Sequence, residues 1–61
     1  MDPKTKSEID AMVKSYQISR SDLELDLNTR HDSPGEFYLL PLMQFSTGDL
    51  GIYLESLGDV T

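Results

Sequence analysis

A chain of 61 residues without a single cysteine must hold itself together by packing alone or lean on another molecule. Domains this short bury only about 60% of the surface their unfolded chains expose. The usual supplements are disulfides, a structural metal or association. The first is closed here, as is every thiolate metal site. One histidine leaves little from which to build zinc coordination. Association, with a second copy or with a partner, is the supplement that remains. The length allows one small domain, residues 1–61.

The longest apolar stretch, Phe37 to Met43, contains Pro41 and falls far short of the roughly 18 residues of a membrane span. Met1-Asp2-Pro3-Lys4-Thr5-Lys6 leads into no apolar run of the kind a signal peptide carries. The expectation is a cytoplasmic protein with no membrane partner.

Charge is unevenly distributed. Residues 1–20 carry Lys4, Lys6, Lys14 and Arg20 against Asp2, Glu8 and Asp10, a net +1. Residues 21–61 carry Arg30 alone against Asp22, Glu24, Asp26, Asp32, Glu36, Asp49, Glu55 and Asp59, a net −7. Such a surface repels phosphate backbones and anionic lipid, which argues against direct nucleic-acid binding and for a basic partner.

Ile9, Met12, Val13 and Tyr16 form an apolar stripe at helical period. Asp2-Pro3 offers a cap followed by proline at the first helical position, and Thr5-Lys6-Ser7-Glu8 fits a capping box. The spacing predicts a helix over about residues 4–16. Leu23-Glu24-Leu25-Asp26-Leu27-Asn28 alternates apolar and polar, the period of a half-buried strand. Leucine's helical preference and a capping box at Ser21-Asp22-Leu23-Glu24 speak for a helix instead. The six-residue alternation favours the strand. Residues 29–36 have loop chemistry. The runs Phe37–Phe45 and Leu50–Leu57, joined by Ser46-Thr47-Gly48-Asp49, read as a hairpin whose first strand is interrupted at Pro41. The helical rival has a start at Ser33-Pro34-Gly35-Glu36 and an end at Leu57-Gly58.

The expected fold is therefore α+β, an N-terminal helix on a three-stranded antiparallel meander, with a small all-α bundle as the alternative. In the meander one helix covers one sheet face. Tyr38, Leu40, Leu42, Tyr53 and Leu57 are left on the other, an apolar surface that a soluble protein reserves for association. The plainer outcome is that the 29–36 loop or the C-terminal residues fold over it.

Chemical motifs are sparse. His31-Asp32-Ser33 holds the residue types of a hydrolase triad, but sequence neighbours in a loop do not adopt triad geometry. Asp22-x-Glu24-x-Asp26-x-Asn28 lacks the glycine and the closing glutamate of a calcium loop, whose positions hold Leu27 and Ser33. No glycine-rich phosphate cradle and no acid–base carboxylate pair is present, and a chain this short struggles to close a pocket. The expectation is no enzyme, no cofactor and no metal. On a strand, Asp22, Glu24 and Asp26 would stand in a row about 6.6 Å apart, a spacing that suits a nucleic-acid mimic of the phage-inhibitor type. The plainer reading is a solvated face that keeps an edge from aggregating.

Two resemblances follow from these residues. Gln17-Ile18-Ser19-Arg20-Ser21-Asp22-Leu23, with Leu27 beyond, resembles the turn and second helix of a helix-turn-helix, with Val13 and Ile18 inward. Gln17 stands where that motif usually has glycine, and Asp22, Glu24 and Asp26 would meet phosphate with like charge. The resemblance therefore implies protein binding rather than operator reading. A helix, then Leu23-Glu24-Leu25-Asp26, then two strands ending Tyr53-Leu54-Glu55-Ser56-Leu57-Gly58-Asp59, is similar to the opening half of type III secretion chaperones, a dimeric family about twice this length.

The functional expectation is an acidic, non-enzymatic interaction protein, an inhibitor or regulator of a basic or nucleic-acid-binding protein. Tyr38, Leu40, Leu42 and Tyr53 would supply contact area. Asp22, Glu24, Asp26 and Glu55 would supply the acidic rim and steering. The alternatives are a chaperone-like or structural homodimer and a helix-turn-helix regulator.

Overall fold

The computed structural model describes residues 1–58. Its elements are α1 (Pro3–Ser15), α2 (Arg20–Asp32), a single 3-10 turn (Leu40–Leu42) and α3 (Thr47–Ser56). No strand occurs among the described residues, so the meander is not formed and the chain is all-helical.

α1 begins where the sequence signals it. The Asp2 side chain accepts a hydrogen bond from the Lys4 backbone N–H at 3.1 Å, and Pro3 fills the first turn, where no N–H partner is needed. The expected Thr5–Glu8 box is not the cap. Of the stripe, Ile9 is buried and Met12 and Val13 pack against the core, whereas Tyr16 lies past the helix end and is exposed. α1 stops in a Schellman arrangement. The Ile18 N–H donates to the Val13 carbonyl at 2.9 Å and the Gln17 N–H to the Lys14 carbonyl at 3.3 Å. Gln17 takes φ 54°, the left-handed conformation for which glycine is usually chosen. A side chain there costs about 1–2 kcal/mol, partly offset by glycine's greater freedom when unfolded. Gln17→Gly is therefore expected to stabilise the fold by about 0.5–1 kcal/mol, seen as a higher urea midpoint at unchanged slope.

The α2 segment shows why alternation misleads. In a helix, Leu23, Asp26, Leu27 and Arg30 share one face, and that is the face turned inward. Leu25, the middle leucine of the alternation, is left outside, 46% exposed. The local start signal is strong. Ser19 Oγ accepts from the Asp22 N–H and Asp22 Oδ2 accepts from the Ser19 N–H, both at 3.1 Å, a reciprocal capping box two residues earlier than expected. The helix runs on through His31 and Asp32, residues expected in a loop.

The second apolar run also folds differently. Pro41 cannot donate to a ladder, and it sits inside the 3-10 turn, where no such donation is asked of it. Ser46 then caps α3, its Oγ accepting from the Asp49 N–H at 3.1 Å. α3 ends at Leu57-Gly58, with Gly58 at φ 74°, the stop that the helical alternative anticipates. Ser33-Pro34-Gly35-Glu36, by contrast, is a turn and not a helix start.

α3 packs against both α2 and α1, and α1 also meets the 3-10 turn. Ile9, Leu23, Leu42, Phe45, Leu50 and Tyr53 form one buried cluster drawn from every element, ringed by Met12, Val13, Ile18, Leu27, Leu39 and Leu54. Of the apolar residues expected to lack cover, Leu42 and Tyr53 are buried within the chain, whereas Tyr38, Leu40 and Leu57 remain exposed. No helix among the described residues is long and apolar enough to cross a membrane.

Candidate interaction surface

Two charged side chains lie in the interior. Asp26 is fully buried and Arg30 nearly so, one helical turn apart on the inner face of α2. Asp26 Oδ1 accepts the backbone N–H groups of Tyr38 at 2.8 Å and Leu39 at 2.9 Å. Arg30 donates to the Phe45 carbonyl at 2.6 Å and the Leu42 carbonyl at 2.8 Å, and its guanidinium lies 4.7 Å from the Phe37 ring centroid. Asp26 Oδ2 and Arg30 Nε face each other at 3.0 Å. Neither atom has a well-directed hydrogen bond, so that contact is an ion pair held by charge and by the confinement of both groups. Together the pair fastens residues 37–45, a stretch with little regular structure of its own, along the side of α2.

What this fastening displays is apolar. Within the 3-10 turn Leu42 points into the core, fully buried. Side chains three apart eclipse in such a turn, and Met43 continues it with helical dihedrals, so Leu40 and Met43 stand on one outer side. Leu40 is 65% exposed, Met43 53% and the neighbouring Tyr38 48%. Tyr38 and Leu39 are tied to α2 at Asp26, one turn beyond Asp22.

The sequence-derived site residues divide accordingly. Asp26, Leu42 and Tyr53 are not surface residues. Asp26 is committed to two N–H groups and Arg30, and Leu42 and Tyr53 belong to the core because helices replace the strands that would have turned them outward. Asp22 is half-buried and holds the α2 cap. Glu24 is exposed and sits 3.6 Å from Arg20 across one turn. Tyr38 and Leu40 are exposed as expected, and Glu55 is exposed on α3. The even row of Asp22, Glu24 and Asp26 does not exist on a helix. Met43 and the Asp26–Arg30 pair escape the sequence reading. Their signal is the four-residue spacing of Asp26 and Arg30 on the face shared with Leu23 and Leu27, visible only once a helix is assumed.

Burying Arg30 changes the outside of the molecule. Of residues 21–58 it is the sole Lys or Arg, so their surface carries Asp22, Glu24, Asp32, Glu36, Asp49 and Glu55 with no Lys or Arg among them. The three lysines all belong to α1.

A second polar cluster ties α3 to α1. The Tyr53 hydroxyl donates to Asp10 Oδ1 at 2.8 Å, and Lys14 Nζ lies 3.0 Å from Asp10 Oδ2. Burial pushes the Tyr53 phenol up to about 12, with the bond to Asp10 and the charge on Asp10 adding to it. The bonds from Tyr53 and Lys14 hold Asp10 below the usual carboxylate range. An unfolded tyrosine ionises near pH 10. Tyr53 retains its proton in the native state until about pH 12. Its contribution is thus complete below pH 10 and lost as pH rises toward 12, a decline of about 2–3 kcal/mol. Urea titrations at pH 9, 10 and 11 are expected to show Tyr53→Phe losing less stability than the parent over this range. The difference between the two chains cancels the lysine titrations common to both.

No pocket and no cluster of metal-ligating side chains forms among the described residues. Comparison with known protein families, curated proteins and solved structures finds no match.

Proposed function

We propose that this chain is a non-enzymatic interaction protein of the cytoplasm, an inhibitor or regulator that docks on a basic protein surface. The observation that carries this reading is the one-sided charge left when Arg30 is buried against Asp26. The solvent face of residues 21–58 offers carboxylates and apolar side chains with no lysine or arginine among them, Glu24 alone facing the neighbouring Arg20 in an ion pair. Such a surface steers toward cations and away from phosphate or anionic lipid. The outer side of α2 carries Glu24, Leu25, Asn28, His31 and Asp32. Laid in a DNA groove as a recognition helix, it would set Glu24 and Asp32 against the backbone, which favours a protein partner over nucleic acid.

Site-specific photo-cross-linking in cells tests this. A photoreactive phenylalanine analogue at position 40 is expected to yield adducts with proteins of high pI. The same group at Asn28, exposed on α2, is expected to yield few. Adducts should diminish when washing is raised from about 50 to 200 mM salt before irradiation of permeabilised cells. Equal yields from both positions, or adducts with acidic proteins alone, refute the reading. Adducts joining two copies of this chain would turn it toward the homodimer.

A further inference from the structure

We infer that the docking element is the ridge formed by Tyr38, Leu40 and Met43, and that its occupant is an apolar face of another protein ringed by lysine or arginine. This rests on the reading above and goes further in naming the contact side chains and the chemistry that meets them.

Three observations support it. The first is the anchoring. Residues on either side of the ridge are fixed to α2 by the two N–H bonds into Asp26 and the two carbonyl bonds from Arg30, and Leu42 pins the turn from below. A segment held this firmly loses little freedom on binding, which is the main cost of docking a loop. The second is the content. Leu40 and Met43 are 65% and 53% exposed, so each forgoes a large part of the burial its side chain could gain. Both stand on the same side of one turn, giving a continuous apolar strip beside a tyrosine, a residue type favoured at binding hot spots.

The third is the charge around the strip, which decides among occupants. Exposed Glu36 stands two residues before Tyr38, and the surface of residues 21–58 that surrounds the strip in sequence carries carboxylates and no lysine or arginine. A second copy presenting the same strip would bring a second set of carboxylates and no exposed lysine or arginine from residues 21–58 to meet the first. An anionic bilayer would meet the same repulsion. A face that pairs apolar side chains with lysine or arginine relieves both the exposed hydrocarbon and the unbalanced charge.

The test uses the full chain and two fluorescent 18-residue helical peptides. One carries leucine on one face and arginine on the other. The second keeps the arginines and replaces each leucine by serine. Fluorescence anisotropy at about 50 mM salt is expected to show the leucine peptide binding at least about 10-fold more tightly. Leu40→Ser/Met43→Ser should erase that preference while leaving far-UV circular dichroism unchanged. Leu40→Gln alone, a milder change at an exposed site, should reduce it in part. If both peptides bind equally and the double variant changes nothing, the ridge is not the docking element, while the basic-partner reading survives. A light-scattering mass of two chains that falls to one in the double variant would give the ridge to a second copy and overturn the inference. Failure of both peptides to bind would overturn the inference and the reading together.

Discussion

Arg30→Met is expected to remove about 3–5 kcal/mol, a large share of the protein's stability. A domain of this size has a total stability of roughly 3–9 kcal/mol. Removing one member of a buried ion pair costs about 3–5 kcal/mol, because the other charge remains behind without its partner. Here the loss has three parts. Asp26 stays fully buried with only the Tyr38 and Leu39 N–H groups to stabilise it. The Phe45 carbonyl loses the guanidinium, and the Leu42 carbonyl keeps only its bond from the Phe45 N–H at 3.1 Å. The Phe37 ring loses the cation lying over it. Urea denaturation followed by circular dichroism measures the effect. A loss under about 1 kcal/mol would mean that the interior admits water to Asp26 and that the pair does not organise the fold. The double change Asp26→Leu/Arg30→Met removes both charges and is expected to recover part of the loss. It cannot recover all of it, because Tyr38 and Leu39 then lack their shared acceptor.

Leu42→Ala is expected to cost about 2–5 kcal/mol, the range for truncating a fully buried leucine whose surroundings close only partly over the void. Leu40→Ala, two residues away, should change stability by no more than about 0.5 kcal/mol, since that side chain is mostly in water already. The contrast is informative because an extended strand would turn Leu40 and Leu42 to the same side and make the two substitutions comparable. The 3-10 turn separates them, one pinned in the cluster with Ile9 and Phe45, the other on the outer ridge. Equal effects at the two positions would contradict this arrangement. Thermal or urea midpoints of the two variants, measured side by side, settle the matter.

Much of α1 was legible because two independent signals agree there: a cap at Asp2-Pro3 and a stripe of period 3.6. The end of α3 was legible in Leu57-Gly58 for the same kind of reason, a backbone need that glycine meets. The region between was misread because a short apolar run satisfies more than one period. Leu23 and Leu27 fit a strand's alternation and a helix's four-residue repeat equally well, and only Leu25 separates the two. A helix leaves it exposed, which sequence patterning alone counts as an error. Asp26 misleads in the same way, since a charge on an alternating segment suggests the outer face. Its burial depends on Arg30, and through both on backbone groups 12 to 15 residues further along the chain, a tertiary arrangement that local pattern cannot carry. Of the candidate surface, Tyr38 and Leu40 were picked out by a strand alternation that put Leu42 beside them, whereas the 3-10 turn at Pro41 leaves Tyr38 and Leu40 outside and buries Leu42.

The confinement of every lysine to α1 has a practical corollary. Lys4, Lys6 and Lys14 are all exposed, and no other primary-amine side chain exists in the molecule. Reagents that capture amines, whether a dye, a biotin linker or an activated sensor chip, will couple within the first helix or at the α-amine of Met1 just before it. A chip prepared in this way tethers the chain by α1 or the Met1 amine, with no attachment through residues 21–58, and its carboxylate-bearing side is kept clear of chemical modification.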